Sequence, residues 1–134
     1  ELRDILDAQL SPYRDSLGAG RSYVLDGEPV RVSGRAAMSL ALVVHELATN
    51  AAKYGAYASG GAIDVVWRME QPGLVRLDWR ERGGPPVSAP LKTGFGSRLI
   101  EGLLRGELGG RVETRFAREG FEADLSFRTT AQGQ

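Results

Sequence analysis

Four stretches in the second half of the chain alternate apolar and polar residues with period two. Ile63, Val65, Trp67 and Met69 share one parity and Asp64, Arg68 and Glu70 the other. Val75, Leu77 and Trp79 alternate with Arg76, Asp78 and Arg80, and Val112, Thr114 and Phe116 with Glu113 and Arg115. Phe121, Ala123, Leu125 and Phe127 alternate with Glu122, Asp124, Ser126 and Arg128. Such strands bury one face and wet the other, which is the antiparallel habit. Gln71-Pro72-Gly73 and Arg118-Glu119-Gly120 supply hairpin turns.

Elsewhere the period is helical. Leu2, Ile5, Leu6 and Leu10 predict a first helix, which Ser11-Pro12 is expected to stop. Ser22 to Asp26 and Pro29 to Val32 read as short strands. Ser33 is placed to cap a long helix from Gly34 to Tyr54, ended by Gly55. Apolar residues cover most of that helix's circumference, so it is expected deep in the fold, His45 included. A Gly- and Pro-rich loop, Arg82 to Gly94, leads to a helix from Ser97 to Leu108 with Leu99, Leu103, Leu104 and Leu108 on its apolar side. Together these elements predict an α/β two-layer sandwich: helices on one face of a mixed, mostly antiparallel sheet.

Composition narrows the function. With 134 residues, 42% hydrophobic and 25% charged, the chain has enough material for one folded domain. Seventeen basic and 17 acidic residues cancel, which disfavours a general grip on nucleic acid or an anionic membrane. The absence of Cys excludes disulfides, thiolate catalysis and Cys-ligated zinc, and a single histidine, His45, excludes a multi-His metal site. The longest apolar run, Ala36 to Val44, is too short to span a bilayer. No signal peptide pattern opens the chain. A start at Glu1 and a polar end, Ala131 to Gln134, suggest a piece of something longer.

Three features carry candidate chemistry. Glu46, Asn50 and Lys53 are spaced i, i+4 and i+7, within about 60° of one another on a helix. An exposed stripe is the ordinary meaning of such spacing, but it is usually built from Glu, Lys and Arg. Thr49-Asn50 in a helix interior is unfavourable without another role. Carboxylate and amide oxygens suit a hard cation such as Mg²⁺, and a nearby Lys suits phosphate. Glu81 follows the parity of Val75, Leu77 and Trp79, which turns it toward the core unless the strand ends at Arg80. A recessed carboxylate needs a partner or a ligand, and an exocyclic amine would serve. Gly83 and Gly84 then let backbone approach a flat ligand. Gly94-Phe95-Gly96-Ser97 opens a helix, where free N–H groups and the dipole favour an anion over a merely flexible helix start.

These stretches resemble the boxes of a known family. His45-Glu-Leu-Ala-Thr-Asn-Ala-Ala-Lys-Tyr-Gly55 resembles the N box of sensor histidine kinases. Trp79 to Pro85 resembles their first glycine box and Gly94 to Ile100 the second. His45 together with Trp79-x-Glu81 is similar to the HWE subfamily. The resemblance runs from about Glu1 to Phe127. It implies a Bergerat ATP-binding fold that uses ATP and Mg²⁺.

It further implies that Asn50 holds Mg²⁺, that Glu46 orients the metal's water or assists the acceptor, and that Lys53 meets phosphate. Glu81 would read the adenine amine where most relatives have Asp, flanked by Gly83 and Gly84. Gly94, Phe95, Gly96 and Ser97 would form the phosphate end of a short lid. The implied layout is a connector helix over 1–12, a catalytic domain over 13–128 and a polar tail over 129–134. The implied partners are a phosphoacceptor-histidine dimerisation domain and a response regulator, in the cytoplasm, without membrane or nucleic-acid contact. His45 reads as a structural or phosphate-neighbouring residue, not the acceptor. A stand-alone protein-serine kinase of the anti-sigma type and a non-catalytic nucleotide-binding module are the alternatives.

Overall fold

The alternating segments become strands in the computed structural model, which describes residues 1–14, 21–83, 95–117 and 120–130. They are β2 (Ala62–Gln71), β3 (Leu74–Arg82), β4 (Arg111–Ala117) and β5 (Gly120–Arg128), preceded by β1 (Ser22–Gly27). One sheet runs in the order β1-β2-β3-β5-β4, with β1 parallel to β2 and the other pairs antiparallel. Helices α1 (Leu2–Arg14), α2 (Gly34–Lys53) and α3 (Phe95–Arg105) form the second layer. The core lies between the layers: Ile63, Val65, Val75, Leu77, Trp79, Leu125 and Phe127 meet Leu6, Leu40, Leu47 and Leu104 in one buried cluster. The two-layer sandwich expected from period-two patterning is the observed fold.

The opposite sheet face is wet and charged, as the alternation requires. Its side chains lie in cross-strand rows: Asp78 stands opposite Asp124, and Arg80 opposite Glu122. Arg115 donates to Glu122 at 2.7 Å and to Asp124 at 2.8 Å. Its hydrogen bonds hold the Asp124 carboxyl below the usual range. Partial burial and the neighbouring Asp124 push Asp78 upward.

Several local expectations need correction. Helix α1 does not stop at Ser11-Pro12 but continues to Arg14 with Pro12 inside it. The missing proline amide removes one bond in the last turn, where the tertiary contacts of the helix outweigh it. Pro29 to Val32 is not a strand: Val30 and Val32 are buried, but no ladder forms there. The segment instead lends the Val30 carbonyl to the Leu2 amide at 2.8 Å. Ser33 occupies the cap position of α2 without a side-chain capping bond. Helix α2 is not buried all round either. Met38 is 72% and Leu42 50% exposed, and His45 is exposed beside them. In a two-layer fold each helix keeps one side in water, and apolar residues on that side counted misleadingly toward depth. Helix α3 begins at Phe95 and ends at Arg105, and Leu108 is buried in the turn that follows. The hairpin residues Arg118 and Glu119 and the tail Ala131 to Gln134 lie outside the described residues.

Helix α1 is fastened at several points. Leu2, Leu6 and Leu10 are fully buried. The Arg3 guanidinium donates to the carbonyls of Leu25 at 3.0 Å and Gly27 at 3.3 Å and lies 5.2 Å from the Trp67 ring centroid. A Cβ on Gly27 would overlap that indole. Tyr23 donates its hydroxyl to Asp7 at 2.9 Å. The apolar face of α1 is therefore part of the core. Leu6→Ala is expected to lower unfolding stability by about 2–5 kcal/mol in a denaturant titration, the cost of a cavity in packed surroundings. A loss close to zero would mean that α1 is merely appended to the fold.

Candidate functional site

The centre of the site is the junction between α2 and the end of β3. Parity along β3 turns Glu81 inward, and it is 2% exposed. Its Oε1 accepts the Ala56 amide at 3.0 Å, and its Oε2 accepts the Trp79 indole N–H at 2.9 Å. Ala56 opens a 3₁₀ turn, Ala56–Ser59, just past the end of α2. One carboxylate thus ties the helix bearing Glu46, Asn50 and Lys53 to the strand bearing the first glycine box. A Cβ on Gly55 would overlap Glu81 Oε1, so the glycine after α2 is fixed by this contact. Burial raises the Glu81 carboxyl above the usual range, with the bonds from Trp79 and Ala56 pulling the other way.

Glycines let backbone close around the same point. Gly83 has φ +80°, a left-handed conformation suited to glycine, and a Cβ there would lie 3.2 Å from the Gly61 Cα. Side chains at Gly61 and Gly120 would overlap the carbonyls of Arg82 and Glu81 respectively. Neither Gly61 nor Gly120 was singled out as a site residue from the sequence. Strand parity points Glu81 inward without naming its partners, although Trp79, two residues away on the same face, carries an indole N–H donor.

On α2, Glu46 and Asn50 are half-buried and Lys53 is exposed. Thr49 donates its hydroxyl back to the His45 carbonyl at 2.8 Å, which accounts for a threonine within the helix. His45 is exposed, not buried as the apolar pattern implied, and its Nδ1 lies 3.2 Å from Gln9 Oε1 on α1. It points about 100° around the helix from Glu46. Among the described residues no three His, Cys, Asp or Glu side chains converge as a metal cluster. Glu46 and Asn50 offer a carboxylate and an amide oxygen, a donor set that fits Mg²⁺ when phosphates and water complete the shell. Phe95, Gly96 and Ser97 form the first turn of α3. Gly84 and Gly94 lie outside the described residues. Arg82 pairs with Asp64 across β2 and β3. A groove of about 370 Å³ near Arg76, Arg111 and Ser126 contains none of these residues.

No family model matches the chain. It is 35% identical over 134 residues to the blue-light-activated histidine kinase of Brucella anthropi, a match covering 97% of this chain and 27% of that protein. It is 36% identical over 128 residues to blue-light-activated histidine kinase 1 of Erythrobacter litoralis, covering 92% of this chain and 34% of that one. The chain belongs to the histidine kinases, as a catalytic domain of the HWE type. Among solved structures, the catalytic domain of histidine kinase ThkA superposes with a TM-score of 0.74 at 16% identity, over 98% of this domain and 95% of that one. The blue-light-activated histidine kinase EL346 of Erythrobacter litoralis superposes with a TM-score of 0.75 at 20% identity, over 96% of this domain and 40% of that chain. These likenesses establish the fold. The domain spans roughly a quarter to a third of its curated relatives, 27% and 34%.

The Glu81 junction makes a sharp demand on chemistry. Two N–H donors face one side chain, and only a carboxylate can accept both. Glu81→Gln would turn an amide N–H₂ toward one of them. It is expected to cost about 1–3 kcal/mol of stability at neutral pH. The raised pKa also fixes a sign. The folded state binds this proton more readily than the unfolded chain, so the contribution of Glu81 is greatest below the usual carboxylate pKa. It declines as pH rises through the raised folded value. That decline should be absent in Glu81→Gln when unfolding free energy is measured against pH; an unchanged profile would refute the assignment.

Proposed function

We propose that this domain binds Mg²⁺-ATP at the junction of α2, β3 and the start of α3, and passes the γ-phosphate to a histidine elsewhere in its protein. The observation that carries the reading is the Glu81 carboxylate bonded to Ala56, three residues beyond Lys53. That bond ties the residue that directly follows the His45–Gly55 box to the box that contains Glu81. Asn50, with Glu46 through water, would hold the metal, and Lys53 would meet the phosphates. Glu81 would meet the adenine amine through a lone pair that its two internal bonds leave open. Gly83 and Gly84 would pass close to the base. Gly94, Phe95, Gly96 and Ser97 would bring backbone N–H groups to the phosphates. Bound Mg²⁺ supplies charge neutralisation, and the side chains position the nucleotide; phosphoryl transfer needs little else from the protein.

The acceptor histidine is assigned to a dimerisation domain outside this chain, and His45 to a supporting contact with Gln9. The names of the relatives favour a histidine kinase over a serine kinase or a non-catalytic module. ThkA is known in complex with the response regulator TrrA. A response regulator is proposed as the downstream partner here too. Among the described residues no helix is long and apolar enough to cross a membrane. The proposed place of work is the cytoplasm, where ATP is available.

The test is transfer of label from γ-labelled ATP to the acceptor domain of the full-length protein, supplied in trans. The intact domain should give acid-labile label on that acceptor and none on itself. Asn50→Ala should reduce the rate by on the order of a hundredfold with the fold unchanged. Stoichiometric label on His45, or full activity in Asn50→Ala, would overturn the assignment.

A further inference from the structure

The two edges of the sheet are finished differently. At the β1 edge, Arg3 occupies the carbonyls of Leu25 and Gly27. At the other edge, β4 pairs only with β5 among the described residues. Helix α3 reaches this strand and half-buries Val112, but the helical layer leaves the later part of β4 uncovered. Thr114 and Phe116 lie on the helix side of β4, paired with Ala123 and Phe121, yet Thr114 is exposed and Phe116 is 37% exposed. An open edge presents unpaired backbone N–H and C=O groups to another strand.

The sequence of that edge, Arg111-Val112-Glu113-Thr114-Arg115-Phe116-Ala117, is complementary to itself when run antiparallel. Centred on Thr114, the pairing sets Glu113 against Arg115 and Arg115 against Glu113 on the open face. On the helix side it sets Val112 against Phe116 twice. The neighbouring registers that keep the faces aligned fail. Centring on Glu113 opposes Glu113 to itself and Arg111 to Arg115, and centring on Arg115 opposes that arginine to itself. Like charges directly across a ladder are destabilising. Arg115 is already held in place by Glu122 and Asp124, whereas exposed Glu113 makes no ion pair among the described residues. A two-fold partner would supply the charge that Glu113 lacks and cover Phe116.

The geometry points to β4 as a self-association edge, at which a second copy of this chain adds antiparallel about a two-fold axis through Thr114 and extends the sheet to ten strands. The contact is isologous, so it closes on two copies.

Sedimentation velocity across a concentration series tests this with charge variants. The wild-type chain should show a concentration-dependent monomer–dimer equilibrium. Glu113→Lys sets an ammonium against the Arg115 guanidinium of the mate, and Arg115→Glu sets a second carboxylate against the mate's Glu113. Each alone should weaken dimerisation at least about tenfold. A one-to-one mixture of the two variants makes both cross pairs opposite in sign and should restore the dimer, which a general loss of structure would not allow. Glu113→Lys alters only an exposed side chain, so its comparison with wild type stands even if Arg115→Glu folds poorly. The chain has no Cys, so Thr114→Cys adds a second readout. Strand partners at the axis lie about 4.5–5.5 Å apart between Cα atoms, within disulfide reach, and oxidation should give a covalent dimer. A wild-type chain that stays monomeric to its solubility limit would overturn the proposal. So would a Glu113→Lys variant that dimerises like wild type, or a mixture of the two variants, each shown folded by circular dichroism, that fails to associate.

Discussion

The arrangement depends on one buried carboxylate. Glu81 sits where an uncompensated acid would be costly, and two N–H donors from different parts of the chain compensate it. One donor, Ala56, belongs to the turn that ends the α2 segment, and the other, Trp79, to the same strand. The bonds fix where α2 ends relative to β3. Gly55, Gly61, Gly83 and Gly120 allow backbone to close around this point, because side chains at three of them would strike the Glu81–Arg82 segment and one at Gly83 would press on Gly61. A carboxylate that could read a base and a helix that could hold a metal are thus positioned by a single polar contact.

The rest of the molecule supports that contact from both sides. Helix α1 inserts three leucines into the core and fastens to β1 through Arg3 and Asp7, which keeps α2 pressed on the sheet. The outer sheet face carries arginines and carboxylates in alternating rows, so a chain with equal numbers of basic and acidic residues neutralises itself locally. Exposed ion pairs of this kind contribute little to stability individually. Their use is to set strand register and to keep the wet face soluble.

Strand positions, strand faces and the placement of Glu81 were legible in the sequence, because a period of two links parity directly to burial. The resemblance to histidine kinase boxes agrees with the family established by the relatives. What escaped the sequence was mostly contextual. The Pro29 to Val32 segment has alternating burial without a ladder, since a valine can plug the core from an extended connection as well as from a strand. Pro12 sits in a last turn that packing sustains. The exposure of His45 and Met38 depends on how many layers cover α2, which helical periodicity does not encode. Gly61 and Gly120 act through contacts with residues distant in sequence. For Glu46, Asn50 and Lys53, periodicity placed the stripe on one helix, and their roles rest on the proposal above.

The two tryptophans offer the most direct measurement of the central claim that the α2–β3 junction is the base-binding end of a nucleotide site. The Trp79 indole N–H donates to Glu81, and the Trp67 indole N–H donates to the Glu28 carbonyl on the β1 side of the sheet. Each gives its own indole resonance in a proton–nitrogen spectrum, assignable by Trp79→Phe and Trp67→Phe. Titration with Mg²⁺-ADP should shift the Trp79 resonance in a saturable way and leave Trp67 nearly still. A saturable shift at Trp67 with none at Trp79, or no shift at either, would contradict the account.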